Sequence, residues 1–424
     1  MPITDRKWYR LDNAAKIIPS TARGSDTRVF RLSCELKEEV DSTVLQNALD
    51  RTIAEFPHFN CYLQRGLFWY YLERSYNWKA GVFEDNIPAL SAIYERGRKN
   101  LLYRVSYFHK KINLEMYHVL SDGAGAFVFL KEIVRNYLVE KYRIEAAIPK
   151  DDFASVGEKA ADAFDYFYTK GSHAGAMDKI MSAHKKAFQI RGERDANMNL
   201  HMIEGMVSVR EFLDLCHRFH ATLAVMTTSI VIEGIIRSMQ VRERRKPIIV
   251  TVPVNLRNYF PSGTTRNFYG VISVVYETEK YDGRLESVID DVRRSFEEQL
   301  QEDRIVDTMN TYTALEHNWA VKMVPLQFKD LGISGINYLR KQEVTTSVSN
   351  VGRVTMPEEL VPYIDRFSSF MSTNGEQMCI SSFQDRLVFG FTSAFVQCSA
   401  IMNFFRRLTG FGIDVELTTN DFDK

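Results

Sequence analysis

The chain has 424 residues, of which 45% are hydrophobic, 12% aromatic and 25% charged, and its 54 basic and 54 acidic side chains cancel. That length exceeds what one hydrophobic core usually serves, so two lobes with a cleft between them are expected, and the composition excludes disorder over most of the chain. The balanced charge excludes a general nucleic-acid binder, which needs a clear excess of Lys and Arg to neutralise phosphates.

The opening segment, MPITDRKWYRLDNAAK, has dispersed charges and no apolar core, so it reads as neither a signal peptide nor a membrane span. Thr27 to Glu35 alternates as a strand does, and Val44, Leu45, Leu49 and Ile53 recur at helical spacing behind an Asp41 or Ser42 cap. Phe56 to Tyr62 opens a second β stretch, and Gly66 marks a turn before the aromatic run Leu67 to Leu72. Leu101 to Phe108 and Lys111 to Val119, divided by a short polar turn, predict a hairpin, with Leu114, Met116 and His118 on one face of its second strand. Beyond Gly123 the stripe Phe127, Leu130, Val134, Tyr137 and Leu138 predicts an amphipathic helix to about Tyr142.

Pro149 to Asn199 has weak apolar periodicity and suits a connection between lobes, so we divide the chain into 1–190 and 191–424. In the second part, Leu200 to Ser208 reads as a strand and Phe212, Leu215, Cys216 and Phe219 as a helix face. Ala221 to Met239 carries Glu233 and Arg237, which makes it a buried helix rather than a transmembrane one. Strands are then expected at Pro247 to Val254, Gly270 to Tyr276, Gln377 to Ser382 and Arg386 to Thr392, with helices from Leu285 to about Gln301 and from Ala394 to Leu408. The five cysteines are scattered and never spaced as CxxC, which fits free thiols in a reducing compartment, and a cytoplasmic location is expected.

The sharpest chemical feature is His118-Val119-Leu120-Ser121-Asp122-Gly123, a histidine at the end of an apolar strand followed by an aspartate and a glycine. A neutral imidazole there can take a proton from an attacking hydroxyl or amine, an effect worth roughly a hundredfold to ten-thousandfold in rate. Asp122 can pair with a cation, and Gly123 and Gly125 allow a tight turn into the helix. By local pattern alone, the same residues equally describe a satisfied core histidine before an ordinary helix cap. His217 and His220 beside Cys216 lack a carboxylate to complete a metal site, so no metal is expected. The run Arg242 to Lys246 is most simply a solvated loop, with phosphate binding as its alternative reading. The aromatics Phe56, Phe59, Phe68, Trp69, Tyr70 and Tyr71 read as core, with an acyl pocket as the alternative.

HVLSDG matches the HxxxDG motif of the chloramphenicol acetyltransferase-like superfamily, which includes condensation domains of peptide synthetases, plant acyltransferases and polyketide-associated acyltransferases. Val252-Pro253-Val254-Asn255-Leu256-Arg257, followed by Asn267 and Gly270, resembles that family's second-lobe strand and arginine loop. Ser349-Asn350-Val351-Gly352 before Pro357 resembles its Ser-Asn-x-Gly segment, and YRLDNAAKIIP resembles the opening of small alcohol acetyltransferase-like members. The DFGWG motif of the plant branch is lacking, and one histidine stands where many condensation domains have two.

The resemblance implies an α/β fold of two lobes, each a mixed β-sheet with helices, meeting in a V as a pseudo-dimer with a central tunnel. It implies a histidine general base, His118, acting without a covalent acyl-enzyme, and a structural salt bridge from Asp122 to Arg257, with Gly123 supporting the turn. Ser349 and Asn350 become candidates for oxyanion or substrate contact, a structural turn being the other reading. No tightly bound cofactor is implied: the donor would be acyl-coenzyme A or a phosphopantetheine thioester on an acyl or peptidyl carrier protein, taken in trans, and the acceptor a small alcohol or amine. The alternatives are a condensation-type enzyme joining carrier-bound substrates through an amide, and a non-catalytic binding protein of the same fold.

Overall fold

The structure is a computed structural model that describes residues 8–76, 78–146, 154–168, 185–317 and 322–420. The first seven residues and much of the expected connection between 149 and 199 therefore lie outside the described residues.

Among the described residues, three sheets organise the chain. A small antiparallel one joins β1 (Trp8–Arg10), β4 (Tyr70–Arg74) and β3 (Cys61–Arg65). The sheet of the first lobe contains β2 (Val29–Leu36), β5 (Val82–Glu84), β6 (Tyr103–Phe108), β7 (Lys111–Tyr117) and β12 (Ile364–Met371), in the order β12-β2-β7-β6-β5. The seven-stranded sheet of the second lobe is built from β8 (His201–Ser208), β9 (Ile248–Asn255), β10 (Tyr269–Tyr276), β11 (Thr346–Arg353), β13 (Glu376–Phe383), β14 (Arg386–Ser393) and β15 (Glu416–Thr419), in the order β10-β9-β11-β13-β14-β8-β15. Both large sheets are mixed: β5 runs parallel to β6, and β11 parallel to both β9 and β13, among otherwise antiparallel pairs.

Local sequence explains most of these elements. Asp41 caps the helix Ser42–Glu55 by accepting from the Thr43 and Val44 amides, the cap expected from its position before the apolar stripe. That helix packs against Gly123–Tyr142, and together they close the first core over β2 and β7. In the second lobe, Leu223–Ser238 is buried from Val225 to Ile236 and packs between Leu285–Gln299 and Ser399–Gly410. It is the buried helix its composition implied, and among the described residues no single helix is long and apolar enough to cross a membrane.

The division near residue 190 does not divide the contacts. Strand β12, far along the second part of the chain, pairs antiparallel with β2 over Met371 to Ile364 and completes the first lobe's sheet. Arg366 on β12 binds Glu35 of β2 at 2.8 Å and Glu204 of β8 at 2.6 Å, which ties the two sheets by charge. A Cβ on Gly390 of β14 would stand 2.2 Å from the Ser369 carbonyl oxygen of β12, so only glycine permits this approach of the lobes.

The second core contains an unbalanced group. Glu376 heads β13 in an apolar crevice lined by Val231, Ile235 and Phe404, its Oε1 has no hydrogen-bond partner among the described residues, and burial pushes the carboxyl up to about 8. The folded chain therefore keeps a proton that the unfolded chain releases above about pH 4.5, and stability falls as pH rises from there toward 8, by up to about 1.4 kcal/mol per unit. Replacing Glu376 by Gln removes this titration. The advantage of Glu376→Gln over wild type in urea midpoints is expected to grow between pH 5 and pH 8.5.

Candidate active site

The site forms where β7 ends and the helix Gly123–Tyr142 begins. The His118 amide donates to the Arg28 carbonyl at 2.9 Å, which continues the β2–β7 pairing one residue past the strand. The chain then turns, with the Leu120 amide on the Tyr117 carbonyl at 3.0 Å, and Asp122 caps the helix through the Gly125 amide at 2.8 Å.

Asp122 does more than cap. Its Oδ2 accepts from Arg257 Nη1 and from the Phe268 amide, both at 2.8 Å, and the side chain is buried. Arg257 spends its other donors on the loop it starts: Nε on the Thr264 carbonyl at 3.0 Å and Nη2 on the Arg266 carbonyl at 2.6 Å. The guanidinium thus fixes the path of residues 264–268 against the helix entry. Ser121 Oγ donates to the Thr265 carbonyl in the same contact.

This loop delivers Asn267 to the imidazole. Asn267 Oδ1 lies 2.9 Å from His118 Nδ1, while its Nδ2 donates to the His118 carbonyl at 3.0 Å and to Asp12 Oδ2 at 3.1 Å. The amide orientation follows from chemistry: a carbonyl and a carboxylate only accept, so Nδ2 faces them and Oδ1 faces the ring. The ring nitrogen opposite an amide oxygen must carry the proton. Nδ1 is therefore N–H, and Nε2 holds the free lone pair. The edge of Phe30 and the ring of Tyr269 flank the imidazole at 5.3 and 5.6 Å between centroids. Burial holds His118 below the usual imidazole range despite the opposing pull of Asp122, of a hydrogen bond to its own backbone and of Asn267, so it is neutral at pH 7. Burial also pushes the Tyr269 hydroxyl up to about 12, and Tyr269 borders a small apolar cavity of about 50 Å³ lined by Phe164, Val254, Leu256, Ile305 and Met309.

Of the residues singled out in the sequence, His118, Asp122 and Arg257 meet in one cluster. Gly123 does not need to be glycine for the turn: its φ is not left-handed, and a Cβ would meet only Val351 side-chain atoms at ordinary distance. The tight approach belongs to Gly125, where a Cβ would stand 2.1 Å from the Thr265 carbonyl oxygen. Ser349 is half-buried on β11, and Asn350 is exposed at a bulge with its Oδ1 accepting the Gly352 amide at 2.9 Å, so that side chain is spent on the turn. The segment reaches the site through Val351 beside Gly123. His217 and His220 are exposed, as is most of Arg242 to Lys246. Phe56 and Phe59 are core residues stacked at 5.6 Å, whereas Phe68 and Trp69 are half-buried, Trp69 lying under Lys329. No periodicity marks Asp12, Asn267 or Tyr269 in the sequence, and of the three only Asn267 belongs to the motif of the arginine loop.

No family model matches the chain, and no curated protein does. Solved structures match it along its length. Polyketide synthase associated protein 5 from Mycobacterium tuberculosis is 13% identical with a TM-score of 0.61, covering 93% of this chain and 97% of that one. The trichothecene 15-O-acetyltransferase of Fusarium sporotrichioides is 10% identical with a TM-score of 0.60, covering 97% and 98%. The starter condensation domain of rhizomide synthetase, solved with C8-CoA and Leu-SNAC, is 10% identical with a TM-score of 0.60, covering 95% and 92%. The fold is therefore that of the two-lobed acyltransferases and condensation domains. It is the fold of the chloramphenicol acetyltransferase-like superfamily.

Two outcomes follow from the packing. Asp122→Ala or Arg257→Ala leaves one buried charge alone and is expected to cost about 3–5 kcal/mol in denaturant unfolding. Gly125→Ala must push the 264–267 loop away and is expected to cost about 1–3 kcal/mol, while Gly123→Ala leaves the unfolding midpoint near wild type.

Proposed function

We propose that the protein is an acyltransferase that moves an acyl group from a thioester to an alcohol or amine, with His118 as general base. The observation that carries this reading is the fixed tautomer: Asn267 occupies Nδ1–H and leaves Nε2 as an acceptor on a neutral ring. Nε2 takes the acceptor's proton as its oxygen or nitrogen attacks the thioester carbonyl. The tetrahedral adduct then expels the thiolate, which recovers the proton from Nε2–H. An ester or amide and a free thiol are the products, and the base ends as it began.

Asp122 and Arg257 support the reaction by holding the loop that carries Asn267. The apolar cavity beside Tyr269 suits the apolar portion of a substrate. The donor in this reading is acyl-coenzyme A or a carrier-bound phosphopantetheine thioester, taken in trans. All five cysteines are free thiols, four of them buried, which supports work in the cytoplasm.

The test is thiol release from a panel of acyl-coenzyme A donors with mixed alcohols and amines, comparing wild type with His118→Ala. Acceptor-dependent release is expected to fall by roughly a hundredfold or more in the folded variant. The wild-type rate is expected to fall on acidification with a midpoint below the 6.5 of an ordinary imidazole. A folded His118→Ala protein that keeps its rate sinks the proposal. Silence with both coenzyme A and carrier-bound donors favours a non-catalytic binding protein.

A further inference from the structure

We propose that Asp12 is a positioning residue for His118, acting through Asn267 to fix which imidazole nitrogen carries the proton. The inference rests on the reading of His118 as the base. Asp12 follows β1, 255 residues before Asn267, and is fully buried. Its Oδ1 accepts the Ala15 amide at 2.8 Å, and Oδ2 faces both Asn267 Nδ2 at 3.1 Å and an Arg266 nitrogen at 3.5 Å. That Arg266 nitrogen also donates to the Arg10 carbonyl at 2.6 Å, so both charges are anchored to the same N-terminal segment.

If Asn267 flipped, its oxygen would face two acceptors and its NH₂ would face Nδ1, leaving only His118's own backbone to hold the proton on Nδ1 and drawing it toward Nε2, where it weakens the base. The His118 carbonyl opposes that flip with a neutral acceptor, whereas the Asp12 carboxylate opposes it with a charged one, about twice as strong a hydrogen-bond partner. A buried carboxylate is costly, and this one is pushed up to about 6 by burial and by Asp162, against the opposing pull of Arg266, the Ala15 amide and Asn267. A group held charged at such cost beside a base is what a preorganised site requires.

The experiment reads the tautomer directly, without substrate. Protein labelled with ¹⁵N-histidine gives long-range proton–nitrogen correlations that distinguish Nδ1–H from Nε2–H, with His118 assigned by its absence in His118→Gln. Wild type at pH 8 is expected to show Nδ1–H alone, and Asp12→Asn a mixture. In that variant kcat is expected to fall by roughly tenfold with KM little changed, a part of what the base itself contributes. On an Asn267→Ala background, Asp12→Asn is expected to change neither quantity further. A folded Asp12→Asn protein with the wild-type tautomer and kcat overturns the proposal.

Should Asp12→Asn not fold, the wild type decides. Titration of Asp12 near pH 6 has to move the Asn267 side-chain amide signals, and signals that ignore it overturn the proposal. If the tautomer mixes on loss of Asp12 but no donor supports turnover, the positioning role stands and the acyl-transfer reading falls. If turnover needs His118 yet ignores Asp12, only the positioning role falls.

Discussion

Asp122 accepts hydrogen bonds from three places at once: its own helix, the Arg257 guanidinium and the Phe268 amide. Because Arg257 in turn holds the Thr264 and Arg266 carbonyls, one carboxylate ties the first helix of the site to a loop from the other lobe. Everything proposed for His118 depends on this tie, since the loop brings Asn267 to the ring. The pair is a constraint on the fold, and whatever His118 does inherits it. Its energy lies less in net attraction than in the cost of leaving either charge alone in a buried setting.

The lobes are joined by more than this loop. Strand β12 is contributed to the first sheet by the second part of the chain, and Arg366 bridges Glu35 and Glu204 where the two sheets meet. Ser381 Oγ donates to the Phe367 carbonyl in the same seam at 2.9 Å. A junction of charge, backbone and close-packed glycine at Gly390 keeps the two halves of the site in register. A site assembled from both lobes needs such a seam, because an ångström of slip would part Asn267 from His118.

Much of the fold was legible because its signals are local. The Asp41 cap and the stripe behind it gave Ser42–Glu55, the β6–β7 hairpin followed from two alternating runs around a polar turn, and the burial of Leu223–Ser238 followed from its composition. Strand β12 escaped notice: its run Ile364 to Met371 mixes Asp365, Arg366 and serines with aromatics, and its two charges find their partners only in the folded chain, Arg366 on Glu35 of β2 and Glu204 of β8, and Asp365 on Arg386 of β14. The helices Glu302–His317 and Leu326–Arg340 were missed as well, the second because its apolar residues Phe328, Leu331 and Tyr338 face outward and blur the usual stripe.

In the candidate site, the sequence by itself determined a histidine at a strand end, an aspartate four residues on at a helix entry, and an arginine loop resembling that aspartate's usual partner. These are short-range or motif-borne facts, and backbone periodicity and capping chemistry are enough to carry them. Only the tertiary structure decided that Gly125 rather than Gly123 permits the close approach, that Asn350 is spent on a bulge, and that Asn267, 149 residues after His118, meets both its ring and Asp12, 106 residues before it. The physical reason is that a hydrogen-bond donor or acceptor has no partner until the chain has folded. The proton on His118 is assigned by groups that the sequence places far apart.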